Sequence, residues 1–249
     1  MQLSYLDLIN PLPINLKNIG QIKSPKLIEI ANLGYDIYNL YLSILLMTPE
    51  DYYKHYQNSS PTIESKMSIY QLIIHNNDLL EILRQTLSFF FVEIVIYNVK
   101  DQTFYTYQNQ DDITSKKPIG FIDKNNYQAI CDVILQRNAI VKNATDEDAS
   151  KMKNKIALQM YLKLKKHEEE QKKNKSNKKI EIPNLISVMS IYHNSLNMLN
   201  IWDLTIYQLY DQFQRQQLKH IYDIQSTAIS VWGDEKNKFD CSQWYKTIK

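Results

Sequence analysis

The chain has 249 residues, 44 % of them apolar, and a formal net charge of +2. That is enough for a core in one large domain or two small ones, and too little charge to imply a nucleic-acid or acidic partner by itself. Four glycines leave few loops of the phosphate-cradling kind, two cysteines make no disulfide framework, and no apolar run reaches the roughly 18–20 residues of a spanning helix.

The start, MQLSYLDLINPLPINL, lacks a basic region followed by an apolar core, so no secretory signal is expected and a cytosol is the expected setting. Pro11, Pro13 and Pro25 stiffen the first 25 residues, and Ile14, Leu16, Ile19 and Ile22 read as an extended arm or a short strand pair. Such an arm packs either on its own domain or on a partner subunit. Ser24-Pro25 reads as a cap and first helical residue, opening a run from Leu27 to Ile44 that Gly34 bends or divides. Thr48-Pro49 restarts the pattern, with Glu50 and Asp51 in the first turn, where carboxylates suit the helix dipole.

Ser68 and Gln71 form a capping box, with Met67 and Leu72 as its hydrophobic staple. A helix from Asn77 or Asp78 is expected to reach Leu87. The run SFFFVEIVIYNV, 88–99, then reads as a buried strand. Asn98–Gln102 is a turn, Thr103–Tyr107 the return strand, 108–118 a polar loop, and Ile119–Ile122 a third short strand. Asp123 caps the next helix, whose apolar positions are Tyr127, Ile130, Cys131, Ile134 and Leu135.

Composition changes at 143–150, NATDEDAS, which reads as a linker. A long helix over 152–170 has Ile156, Met160 and Leu164 at spacings of four. It runs into 163–179, where eight Lys and three Glu give a formal +5 and predict a solvated tether. A third block opens at Ile182-Pro183 with a dense apolar pattern through Asn200. Thr205 and Gln208 form another capping box, with Leu204 and Leu209 as the staple. The helix predicted over 206–222 places Ile206, Leu209, Tyr210 and Phe213 on its core face. Beyond Phe213 that face turns polar. The segment 230–248 reads as a tail with a glycine turn and large aromatic anchors, which either cover the chain's own core or meet a partner.

The expected class is α+β, predominantly helical with a small antiparallel sheet in the middle block. The expected division is 1–142 as an N-terminal α+β domain, 143–181 as linker, helix and Lys-rich tether, and 182–249 as a C-terminal helical block with its aromatic tail.

Catalytic signatures are missing from this pattern. No two of His55, His75, His167, His193 and His220 stand at a helical i, i+4 spacing, and HExxH, CxxC, GxxxxGK[ST] and GxSxG do not occur. Cys131 lies on an apolar face and reads as a core thiol. Asp234, Asn237 and Asp240 lack the central glycine and final glutamate of a calcium loop. The Lys-rich segment carries no interleaved aromatics for base stacking, and three glutamates interrupt it. No catalytic, cofactor or metal residue is therefore assigned. The residues expected to meet a partner are Tyr207, Arg215, Gln217, Trp232, Phe239, Trp244 and Tyr245.

Five segments carry a resemblance: IKSPKLIEIANLGYDIYNLYLSILLMTPEDYY at 22–53, LRQTLSFFFVEIV at 83–95, GFIDKNNYQAICDVILQRN at 120–138, HNSLNMLNIWDLTIYQLYDQFQR at 193–215 and SVWGDEKNKFD at 230–240. In these the chain resembles a phage and prophage protein family of low-GC Gram-positive bacteria, associated with tail assembly. The resemblance implies a tail assembly chaperone or morphogenesis factor in the host cytoplasm. It would bind a phage structural protein such as the tape-measure or tail-tube protein, with no enzymatic activity, cofactor or membrane. The alternative is a nucleic-acid-associated phage protein using the Lys-rich segment. Oligomeric state stays open.

Overall fold

The computed structural model describes residues 1–57, 67–140, 181–234 and 239–246. The expected linker at 143–150, the helix over 152–170 and the Lys-rich tether all lie outside the described residues. The described part is predominantly helical with small antiparallel sheets between the helices.

The N-terminal segment makes one turn of helix, α1 (Tyr5–Ile9), closed by a Ser4–Asp7 capping box. The strand pair read around Ile14–Ile22 is present as β1 (Ile14–Leu16) and β2 (Gly20–Ile22), with Ile14 opposite Ile22. Ser24 does not cap the next helix. α2 (Leu27–Leu33) starts after Lys26, whose N–H donates to the Glu29 carboxylate at 2.8 Å. Ser24 is buried and accepts instead from the Arg137 guanidinium. Gly34 divides α2 from α3 (Tyr35–Leu46) at φ 94°, a conformation open mainly to glycine. Its N–H closes one helix on Ile30 O, and its carbonyl opens the next by accepting from Tyr38 N. The Thr48-Pro49 restart gives the short helix α4 (Pro49–Tyr52) with a Thr48–Asp51 capping box.

The Ser68–Gln71 box opens α5 (Ile69–Ile74), and α6 (Asn77–Phe90) follows from an Asn76 cap. Here the strand expected over 88–99 is corrected. Helix α6 runs on to Phe90, and the strand is only β3 (Ile94–Asn98). The reason is amphipathic continuity. Leu79, Leu83, Thr86, Leu87 and Phe90 share one buried helical face, so the phenylalanines extend that face before the chain turns. β4 (Thr103–Tyr107) returns against β3. The polar stretch 108–118 is not all loop, because Asn109 caps a turn of helix, α7 (Gln110–Thr114). β5 (Gly120–Ile122) completes a sheet in the order β3-β4-β5. Asp123 makes an Asx-type turn to Asn125 N and Asn126 N in place of the expected cap, and α8 (Tyr127–Arg137) starts after Asn126.

Backbone contacts tie the two sheets together. Val92 N donates to Gln21 O, Phe121 N donates to Asn18 O, and the Thr106 hydroxyl donates to Ile19 O. Gly120 is required by this approach: a Cβ there would lie 2.6 Å from the Asn18 backbone. Inward positions Val95, Phe104, Thr106 and Ile122 are buried. On the outward face Ile96, Tyr105 and Phe121 form one cross-strand row, and Phe121 is exposed.

The compact units also differ from the three-part division expected from the sequence. One unit combines Met1–Ala139 with Leu199–Lys249, and the other is Ile140–Met198. In the first unit, Leu27 N donates to Leu204 O at 2.8 Å, Lys26 and Thr205 form a β-bridge, and Lys26 Nζ pairs with Asp203 at 2.9 Å. The C-terminal block is thereby stitched to the start of α2. Among the described residues, the second unit contains the helix α9 (Ile182–Tyr192), with Leu185 and Met189 buried. The apolar pattern read through Asn200 stops being helical at Tyr192. His193 is extended, and its Nδ1 accepts from Ser195 N, a local turn that competes with helix continuation.

The last helix is the longest of the described elements. α10 (Ile206–Trp232) passes the predicted end at Tyr222 by ten residues and stops where Gly233 adopts φ 75°. A glycine in that conformation at a helix end is a stop signal.

Candidate functional site

Helix α10 carries every surface that the sequence singled out for contact, and it has three distinct stretches. Its first turns belong to the fold. The Thr205–Gln208 capping box is formed, and the Gln208 amide also donates to Ile9 O at 2.9 Å. Ile206 and Leu209 are buried, while Tyr207, Tyr210 and Phe213 are half-buried. Burial raises the Tyr207 phenol above its ordinary range.

The middle stretch pins both ends of the chain. The Tyr5 hydroxyl donates to Asp211 at 2.7 Å. Burial, and then this donation to a carboxylate, push the Tyr5 phenol up. Arg215 reaches the other way: its Nη1 donates to Trp244 O at 3.0 Å and to Lys246 O at 2.7 Å. The short helical turn Gln243–Tyr245 is thus held against α10. Tyr222 packs on Phe239 at 5.5 Å and on Trp244 at 6.2 Å between ring centroids. Lys219, ion-paired with Asp223, lies over the rings of Tyr222 and Trp244. Asp240 binds Lys246 and accepts from the Ser242 hydroxyl, and these contacts hold its carboxyl down at about 2.

The third stretch faces solvent. Ile221, Ile224, Val231 and Trp232 are exposed, Ile224 at 57 %, Val231 at 66 % and Trp232 at 82 %. Ile221, Ile224, Ala228 and Val231 follow at steps of three, four and three, which places them on one stripe. His220, Asp223, Ile224, Thr227, Ala228, Val231 and Trp232 line a shallow, open groove of about 470 Å³.

Of the residues expected to meet a partner, the structure gathers Arg215, Phe239, Trp244 and Tyr245 into the tail clasp. There Arg215, Phe239 and Trp244 are half-buried against their own chain, and Tyr245 is exposed. Gln217 is exposed, and Tyr207 sits three turns away from the groove. Trp232 alone of the seven lines the groove. The aliphatic part of the stripe was missed because the helix was ended at Tyr222. The signal was present: the 221/224/228/231 spacing continues unbroken to Gly233.

Nothing in this geometry assembles acid–base or nucleophilic chemistry. Among the described residues, no three His, Cys, Asp or Glu side chains converge as metal ligands. Cys131 is buried beside Tyr127, and Cys241 is exposed. No described helix is long and apolar enough to cross a membrane.

Residues 171–249 match a family model described as the YomV second domain. The match takes in about a third of the chain, including α9, α10 and the clasped tail. No curated protein and no solved structure matches.

Proposed function

We propose that this chain is a non-enzymatic phage morphogenesis factor of the tail assembly chaperone kind, acting in the host cytoplasm. It binds an amphipathic helix of a phage structural protein along the second half of α10. The observation that carries the reading is the exposed stripe Ile221–Ile224–Ala228–Val231 with Trp232 at its end. A solvent-facing helix normally presents polar residues there, and an apolar row at coiled-coil spacing suits a second helix. The sequence resemblance to a tail-associated phage family supplies the kind of client, a tape-measure or tail-tube protein.

The shape of the groove fits this chemistry. It is shallow and open along the helix, which suits a long side-by-side partner better than a small molecule enclosed on most sides. Trp232 gives a large rigid contact at one end, the residue type most often found to dominate helix-docking interfaces.

A photo-reactive residue placed at Ile224 tests the reading in cells producing the phage. Expected adducts are to the tape-measure or tail-tube protein, and they disappear when Val231→Asp is added. Adducts confined to host proteins, or unchanged by Val231→Asp, would sink the proposal.

A further inference from the structure

We infer that the α10 stripe also serves as a homodimer contact: between clients, a second copy of this chain lies antiparallel along it. The inference rests on the reading of the stripe as a docking surface and adds a resting state to it.

The register is self-complementary. An antiparallel pair centred on Ser226 sets Ile221 against Val231 of the second copy and Ile224 against Ala228 of the second copy. The two-fold axis then repeats both pairs. Four apolar layers result, and the small Ala228 takes the larger Ile224 opposite it, the large-against-small pairing that lets helices approach. No other register keeps all four residues paired.

Charge selects the same direction. Lys219 and His220 stand at the start of the stripe, and Asp234 follows its end. Antiparallel packing brings the basic end of one copy beside the acidic end of the other, with the helix dipoles opposed. Parallel packing would instead set Lys219 beside Lys219 of the second copy. The fold leaves the face open, since the clasped tail occupies the side of α10 that bears Arg215, Lys219 and Tyr222. A seam of three helical turns lies near the lower limit of about 1,000 Å² for a specific interface. The dimer is therefore weak and reversible, so a client helix can displace the second copy.

Sedimentation velocity of the full chain from about 1 to about 200 µM tests this. The expected result is a reversible monomer–dimer equilibrium, with Ile224→Asp at least tenfold weaker in self-association and unchanged in circular dichroism and melting. Orientation is read in a Cys241→Ser background. Mixed Ile224→Cys and Ala228→Cys proteins should oxidise to a heterodimer, while Ala228→Cys alone should not cross-link. A wild-type chain that is monomeric throughout the range overturns the dimer. So does a dimer insensitive to Ile224→Asp. Cross-linking of Ala228→Cys to itself overturns the antiparallel register. A monomeric chain that still captures its client through Ile224 would leave the client reading standing.

Discussion

Arg137 holds its guanidinium inside the core without a carboxylate hydrogen-bonded to it. It donates to the Ser24 hydroxyl, to Leu12 O at 2.9 Å and to Asn10 O at 2.5 Å, and burial lowers its pKa from the ordinary value. Its work is to fasten the Pro11–Pro13 segment to α8. Neighbouring Gln136 adds to this by accepting from Leu3 N and donating to Met1 O. Replacing Arg137 by Met leaves one hydroxyl and two carbonyls without that donor, and should cost about 3 kcal/mol in urea unfolding. Amide exchange should quicken over residues 1–13 before it does elsewhere. Asp240 gives a second residue-scale prediction. Its carboxyl is held at about 2 in the folded chain and returns to about 4 when the tail is released. A depressed carboxylate stabilises above its unfolded value and loses that contribution as pH falls through its folded one. Tail attachment should therefore be complete above about pH 4 and weaken toward pH 2, followed by the Trp244 indole resonance. An indole signal that is flat across this window would contradict the role given to Asp240.

At the scale of elements, the middle of α10 is a clamp and its last three turns are a contact face. Arg215→Ala removes two hydrogen bonds to tail carbonyls. It should free the Gln243–Tyr245 turn while leaving the melting of the rest nearly unchanged, seen as faster proteolysis confined to the tail. The capping boxes at Thr48, Ser68 and Thr205, the β1–β2 and β3–β4 hairpins and the buried face of α8 were all legible, because each is set by residues within a few positions of one another. What was not legible depends on distance. Ser24 looks like a cap until Arg137, 113 positions away, claims its hydroxyl. Phe89 and Phe90 look like strand residues until the buried face of α6 accounts for them. The tail aromatics were seen, but their seat on Tyr222 could be recognised only with α10 drawn at full length.

For the whole molecule, residues 199–249 are part of the unit built by residues 1–139, even though about sixty residues separate them in sequence. The join runs through Leu27, Lys26 and Tyr5 on one side and Leu204, Thr205 and Asp211 on the other. The base of α10 is thereby rooted in the core while its far end projects the apolar stripe. The outward face of the β3-β4-β5 sheet, with Ile94 and Phe121 exposed, is a second apolar surface on the same unit. The account assigns the client to the helix. The most direct test is a titration of the isotope-labelled chain with an amphipathic helical peptide from the tape-measure protein of the same phage, read by amide and methyl resonances. The account predicts saturable shifts at Ile221, Ile224, Ala228 and Val231, lost in Ile224→Asp. Shifts centred instead on Ile94, Tyr105 and Phe121, or shifts at α10 that persist in Ile224→Asp, would contradict it.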